Sequence, residues 1–420
     1  MKKKNLTSFC LILICFLLFN LFACTTKVHA QDLMEGIKAN EVERVTLSEN
    51  FISSQKDFAI ELLKKSYLQK QNQNTLISPL SIVVALAMVA NGADGETKEQ
   101  MLKVLGNSLT MEELNHNLYS YVTSLPSDDK QKLNVANSIW LKEDPLFSVE
   151  EAFLQTNADY YKASAYYAPF NNQTVKDINN WVKNKTDRMI DKVIDKIPEE
   201  TIAYLVNALL FEGAWTRTYE RSQVSNGTFT AINGEKKSVK MMKSSEYGFV
   251  QTTNATGVVK PYKGNAYSFV ALLPNESIEF NSFIESLNSK EVANAIKNRY
   301  SNTVITRIPK FEYDYSIELK EILVDMGMGL AFNPNFANFS KLGHYENGNI
   351  FIGNVLHKTS IKVAEKGTKA GAVTVISMDK ATSVEPGEIK YVYLDRPFVY
   401  MIINNESSLP IFIGCVTNIN

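Results

Sequence analysis

The chain of 420 residues offers little material for nucleophilic or metal catalysis. A Ser-His triad or a histidine-based metal site needs histidines beside specific partners, and no motif in the sequence supplies such a grouping. The sequence lacks a GxSxG elbow, a phosphate-binding loop, a dinucleotide GxGxxG, an HExxH and a CxxC motif. We therefore expect no enzyme activity, no metal and no cofactor. The four histidines are His29, His116, His344 and His357.

Residues 365–381 have the pattern of a strand but are followed by loop-like sequence. Every second residue from Thr368 to Met378 is uncharged. The intervening set begins with the charged Lys369 and ends with the charged Asp379. This alternation is typical of a strand with one buried face. The segment contains no proline, so every residue could donate to a ladder. Residues 380–388 are hydrophilic and include Pro386 and Gly387. The segment is thus either an edge strand with a hairpin or a loop that can become a strand later.

The elements that must position this segment are predicted as helices first and strands later. Helical spacing of apolar residues recurs over 51–67, 111–125 and 175–194. Ser78-Pro79 begins an almost wholly apolar helix, which indicates burial. A long apolar strand is expected over 201–215, and other strands are expected over 132–141 and 359–366, with further strands to the end of the chain. The pattern favours one α+β domain over residues 50–420.

The N-terminus has the features of an export signal. Three lysines precede an apolar run from Phe9 to Ala23, which is too short for a comfortable membrane span. The end of the run, Leu-Phe-Ala-Cys24, resembles a bacterial lipobox, with residues 1–23 removed, Cys24 lipidated and residues 24–49 forming a tether. The alternative is ordinary cleavage after Ala30. Cys415 then remains alone in an apolar run, so the domain has no internal disulfide.

Motifs along the whole domain carry a family resemblance. "NTLISPLSIVVALAMVANGADGET", "INNWVKNKT", "LVNALLFEGAW", "IPKF", "MGM", "NFS" and "RPFVYMI" match the pattern of the serpins, and "EKGTKAGA" resembles the hinge of the reactive-centre loop of inhibitory members. The resemblance implies one large domain, in which several helices surround three β-sheets and the reactive-centre loop is exposed. It also identifies the chain as a bacterial lipoprotein-type member. The implied hinge residues are Glu365, Gly367, Thr368, Ala370, Gly371 and Ala372.

The resemblance implies a suicide-substrate inhibitor of serine proteases, with cysteine proteases as a further target class. A protease cleaves the loop and forms an acyl-enzyme, and the freed hinge inserts as a strand of the main sheet. The small, uncharged hinge residues favour an inhibitor over the alternative, a non-inhibitory serpin-fold binder or chaperone. The family's polar cluster beneath the opening sheet and the aromatic residue at its entrance are matched by Ser78, Ser81, Asn207, His357 and Trp215.

The scissile bond implied by the family spacing is Ala381-Thr382, and Lys380 is the alternative primary residue. Target proteases would therefore have small-apolar or basic primary specificity. Lys and Arg number 44 against 45 Asp and Glu, so no basic field for nucleic acid is expected. We expect a monomer that meets the membrane only through an N-terminal lipid. The expected location is the bacterial envelope, on the outer membrane or the cell surface, or otherwise secretion.

Overall fold

The computed structural model describes residues 28–186, 188, 190–197, 201–368 and 388–419. Helix starts follow local capping chemistry: the Ser78 hydroxyl accepts from the Ser81 N–H, and Thr110 and Glu113 form a reciprocal capping box. The α-helices in the described residues are α1 (Glu49–Gln69), α2 (Pro79–Ala90), α3 (Gly95–Gly106), α4 (Met111–Ser124), α5 (Glu151–Tyr161), α6 (Asn172–Lys185), α7 (Phe280–Ser286), α8 (Ser289–Lys297) and α9 (Lys320–Asp325).

The strands alternate buried and exposed residues where one face meets solvent, and they are wholly buried where both faces are covered. In chain order they are β1 (Gln31–Asp32), β2 (Thr75–Ile77), β3 (Gln131–Lys142), β4 (Phe147–Val149), β5 (Ser164–Ala168), β6 (Ala203–Ala214), β7 (Val224–Thr230), β8 (Lys236–Gln251), β9 (Ala255–Pro261), β10 (Tyr267–Pro274), β11 (Tyr300–Pro309), β12 (Phe311–Glu318), β13 (Gly343–Tyr345), β14 (Ile352–Ala364), β15 (Gly367–Thr368), β16 (Lys390–Tyr393), β17 (Phe398–Asn404) and β18 (Pro410–Val416).

The described strands form three sheets. The first sheet has the order β1-β5-β3-β6-β15-β14-β12, and β6 also pairs directly with β14. The second sheet has the order β16-β11-β8-β9-β10-β17-β18-β2, with β7 also paired to β8. A third sheet pairs β13 with β4. This arrangement of helices and three sheets in one domain confirms the expected α+β fold.

The main core lies between the two large sheets. Phe211 of β6 meets Tyr267 of β10 edge to face at 5.3 Å between ring centroids. Across the same layer, the hydroxyls of Tyr313 and Tyr400 are 2.7 Å apart. Helix α2 is buried along its whole length, as its apolar sequence predicts. Among the described residues, no helix is both long and apolar enough to cross a bilayer.

The segment before α1 lies against the domain. Its residues Gln31 and Asp32 form β1, which pairs with β5 and is the edge strand of the first sheet. Farther along, the Asn40 N–H donates to Asp159 at 2.7 Å and the Val45 N–H donates to the Ser120 hydroxyl at 2.8 Å. The polar, aperiodic sequence predicts a tether over 24–49 and does not indicate these contacts, because they join single backbone groups to side chains far away in the chain.

Candidate functional site

In the first sheet, β6 and β14 pair directly along only part of their length. These two strands run parallel, and their direct ladder extends from the Ile352–Ala203 pair to the Leu356–Val206 pair. Beyond this ladder β15 lies between them and is antiparallel to both. Residues 207–212 of β6 and 357–362 of β14 separate the ladder from β15. The sheet is thus joined at one end and holds the start of another strand at the other.

The chain turns at Glu365 and re-enters the sheet at Gly367. Gly367 pairs with Ala214 on one side and Ala364 on the other, and Thr368 pairs with Gly213 and Val363. Gly367 has a φ of +155°, and a Cβ atom there would lie 2.0 Å from the carbonyl oxygen of Gly213. Only glycine can make so close an approach. Thr368 is 2% exposed.

Three aromatic residues hold the re-entrant turn. The indole N–H of Trp215 donates to the Ala364 carbonyl at 2.9 Å, and its backbone N–H donates to the Lys366 carbonyl at 2.9 Å. The Tyr219 N–H donates to the Glu365 carbonyl at 3.0 Å. Tyr262 stacks on Trp215 at 4.5 Å, and its hydroxyl lies 2.5 Å from the Thr368 hydroxyl. The turn is therefore fixed through both its backbone and the side chain of Thr368.

A buried ion pair supports these aromatic residues. Lys260 Nζ lies 2.5 Å from a carboxylate oxygen of Glu246, and the two side chains are 1% and 5% exposed. The ammonium also lies over the rings of Tyr219 at 4.6 Å and Trp215 at 5.3 Å. Burial lowers the pKa of Lys260, and the charge of Glu246 opposes this shift. The Ser244 hydroxyl donates to the same carboxylate at 2.5 Å.

A second, more exposed ion pair lies at the turn itself. Lys310 Nζ lies 2.8 Å from Glu365 Oε1, and about a third of each side chain is exposed. Partial burial alone would raise the pKa of Glu365, but the hydrogen bond and charge of Lys310 lower it below the ordinary value. Solvent screening limits the contribution of this pair to stability, so it orients the turn more than it stabilises the fold.

His357 lies farther along β14, beside the start of helix α2. Its Nε2 accepts a hydrogen bond from the Ser78 N–H at 3.0 Å, so the neutral ring carries its proton on Nδ1. The Ser78 hydroxyl donates to the Ile411 carbonyl at 2.8 Å and accepts from the Ser81 N–H at 3.3 Å. These bonds tie β14 to α2 and to β18. His357 is 1% exposed, and burial lowers its pKa to about 3.

This burial predicts that stability decreases in acid. Between about pH 6.5 and 3 the unfolded chain binds a proton at His357 and the folded chain does not, so stability falls by about 1.4 kcal/mol for each pH unit lost. The variant His357→Gln keeps an acceptor near Nε2 and cannot protonate in this range. Denaturant unfolding from pH 7 to 4 should show a shallower pH dependence for this variant than for the parent. Equal slopes would contradict the prediction.

The structure brings together only part of the predicted site. Trp215 contacts the turn that contains Glu365, Gly367 and Thr368, whereas Ser78, Ser81 and His357 form a separate cluster along the same opening. The backbone of Asn207 lies in β6, opposite Asn137. Other predicted site residues lie outside the described residues: Cys24, Ala370, Gly371, Ala372, Lys380, Ala381 and Thr382.

Sequence reasoning misses the residues that support the turn. Lys260 lies in the predicted strand 257–262, at the same alternation as the buried Val258 and Tyr262. A lysine at a buried position of a strand needs a partner, and this was an available signal. Its partner Glu246 is distant in sequence and shows no such signal. Tyr219 contacts the turn through its backbone N–H, which any residue type could supply.

Comparisons with known proteins agree with this geometry. The family model described as "Serpin (serine protease inhibitor)" matches residues 53–419. The chain is 48% identical to the crystal structure of a thermophilic serpin, tengpin, in the native state, with a TM-score of 0.88, covering 93% of this chain and 100% of that one.

Two curated relatives also match most of the chain. An uncharacterized serpin-like protein of Thermococcus kodakarensis is 29% identical, over 86% of this chain and 84% of its own length. Intracellular coagulation inhibitor 2 of Tachypleus tridentatus is also 29% identical, over 88% of this chain and 91% of its own. Because the family model covers most of the chain and the fold agrees, the protein belongs to the serpin family.

Proposed function

We propose that the protein is a suicide-substrate inhibitor of serine proteases that traps the acyl-enzyme by inserting its cleaved loop between β6 and β14. The observation that carries the proposal is the position of β15, which already occupies the first two pairing positions of such a strand. The name of the Tachypleus relative, a coagulation inhibitor, supports the inhibitory function.

The register of β15 supports insertion of the residues that follow. If the ladder continues, Ala370 comes opposite Phe211 and Ile361, and Ala372 comes opposite Leu209 and Thr359. These four partners are buried, so the inward positions require small or apolar side chains. In the same register Lys369 comes opposite the partly exposed Glu212 and the exposed Lys362, and Gly371 comes opposite Ser360 and the buried Leu210. The uncharged alternation seen in the sequence therefore agrees with the buried face of the gap.

The energy available from insertion is sufficient to hold a protease. An inserted strand gains ladder bonds on both sides, and ten such bonds at a net ~1 kcal/mol each amount to about 10 kcal/mol. This is comparable with the whole stability of an ordinary domain.

A small cavity lies next to Thr368, where the inserting strand would continue. It is lined by Phe211, Ser360, Ile361, Thr368, Ile402 and Phe412.

Mixing the mature domain with pancreatic elastase and, separately, with trypsin tests the proposal. We expect a covalent complex that survives denaturing electrophoresis, and a released C-terminal peptide that begins at Thr382 or, with trypsin, at Ala381. Mass spectrometry of this peptide identifies the bond. Absence of a covalent band across a broad panel of serine and cysteine proteases would contradict inhibition. Cleavage without trapping and without a gain in melting temperature would instead indicate a non-inhibitory binder.

We also propose that the protein acts outside the cytoplasm, held to the bacterial envelope by a lipid on Cys24. The motif and the preceding apolar run support this location. Metabolic labelling with a fatty acid should mark the parent protein, and Cys24→Ala should lose the label. Cys415→Ala is the matched control, because Cys415 is buried in the core and should not affect labelling. An unlabelled parent would contradict the anchor and favour cleavage after Ala30, whereas a labelled Cys24→Ala protein would contradict Cys24 as the lipidated residue.

A further inference from the structure

The outer face of β16, β11 and β8 carries an unusual group of exposed aromatic and aliphatic side chains. Tyr391 is 61% exposed, Ile389 48% and Tyr247 46%. The opposite face of the same strands is buried and belongs to the core, as Val304 and Val392 show. We call this outer surface the aromatic face, defined by Tyr247, Arg307, Ile389, Tyr391 and Tyr393.

Strand pairing places these side chains on one surface. Tyr391 pairs with Ile305, which pairs with Ser245 on the next strand. Tyr393 and Lys243 pair with Arg307 on either side. Directly paired residues point to the same side of a sheet, so these side chains form one continuous surface.

The aromatic face carries positive charge. The Arg307 guanidinium lies over the Tyr393 ring at 4.6 Å, and the Arg217 guanidinium lies over the Tyr247 ring at 5.5 Å. Lys243, beside Arg307 in the register, adds a third cation. The acids at the two ends of β16 already have partners, since Glu388 pairs with Lys390 and Asp395 with Arg396. Tyrosine and arginine are, with tryptophan, the residue types enriched at binding hot spots.

The face also lies within reach of a protease at the predicted bond. Tyr391 follows Ala381 by ten residues, so the two are at most ~35 Å apart even with an extended chain. A protease domain of ~230 residues has a radius of gyration of about 17 Å, which corresponds to a body roughly 45 Å across. Because a protease binds the scissile bond in a cleft at its surface, its body extends up to ~45 Å from the bond, which exceeds the ~35 Å limit on the distance to Tyr391.

We propose that the aromatic face is a docking surface for the body of the target protease, and that it selects proteases with an acidic surface beside the active-site cleft. This inference rests on the proposed inhibitory function and adds a determinant of specificity outside the loop. Opposite charges raise the association rate, and the tyrosine rings supply apolar contact area in the centre.

The association rate constant for covalent trapping, measured over a panel of serine proteases, tests the inference. Arg307→Glu and, independently, Tyr391→Ser should each slow the protease that the parent traps fastest, by about tenfold for the charge reversal at low salt. The number of inhibitor molecules used per protease should stay unchanged, because the loop and the hinge are intact. Raising the salt concentration should slow the parent and have less effect on Arg307→Glu.

The matched control is Phe336→Ser, which removes a large side chain that is 70% exposed and lies outside the aromatic face. It should trap proteases at the parent rate. If the parent traps proteases and both face variants trap every one of them as fast as Phe336→Ser does, the docking inference is wrong and inhibition stands. If the parent traps none, the proposed function fails and the inference fails with it. Sedimentation that shows a dimer of the parent, lost in Tyr391→Ser, would assign the face to a second copy and overturn the proposal.

Discussion

Thr368→Glu is expected to abolish covalent trapping while leaving the loop cleavable. Thr368 is the last described residue of β15, 2% exposed and 2.5 Å from the Tyr262 hydroxyl. A carboxylate there would lose its hydration without a counter-charge, at a cost of several kcal/mol. A penalty of about 3 kcal/mol slows a step more than 100-fold. Insertion would then be slower than deacylation, and the variant would behave as a substrate.

Two measurements separate this effect from simple misfolding. The cleaved parent should melt at a much higher temperature than the intact protein, whereas cleaved Thr368→Glu should not. Lys366→Glu is the matched control, because it introduces the same carboxylate two residues earlier at an exposed position. This control should still trap proteases. A Thr368→Glu variant with normal covalent complex formation would contradict the role assigned to β15.

The alternation that predicts these effects was readable in the sequence because the buried face of a strand is a local pattern. The long strands β3 and β6 and the buried helix α2 were predictable for the same reason. The position of β15 between β6 and β14 was not, since pairing between residues more than 100 positions apart leaves no local pattern. The family resemblance implied insertion of the hinge after cleavage, but not that Gly367 and Thr368 already pair with both strands in the intact chain.

Helix α6 shows where periodicity misleads. Apolar spacing predicts a helix from residue 175 to 194, but the helix ends at Lys185. Ile190 and Ile194 are buried as the pattern requires. Their segment is held differently, however, because the Asn179 side chain accepts from the backbone N–H groups of Val193 and Ile194. The spacing therefore predicted which side chains are buried, but not that the helix ends at Lys185.

The buried pair under the hinge gives the second large expected effect. Lys260→Met leaves Glu246 5% exposed without its cation, and breaking a buried pair in this way costs about 3–5 kcal/mol. The double variant Lys260→Met/Glu246→Gln should recover most of the loss, since the new amide can still accept from the Ser244 hydroxyl. Denaturant unfolding of the parent, the single variant and the double variant measures these differences. A single variant within 1 kcal/mol of the parent would contradict the assignment.

The pH dependence of the single variant provides an independent check. Without Lys260, the ionised carboxylate of Glu246 stays buried without a counter-charge, and binding a proton removes this cost. The stability deficit of the single variant relative to the parent should therefore be largest near neutral pH and shrink in acid. The double variant has no carboxylate at this position and should follow the parent's pH dependence.

Hydrogen exchange tests whether the buried pair supports the hinge. Lys260 also lies over the Trp215 and Tyr219 rings, so exchange at the Trp215 and Gly367 amides should be faster in the single variant than in the parent. A return to the parent's exchange rates in the double variant would link the buried pair to the hinge.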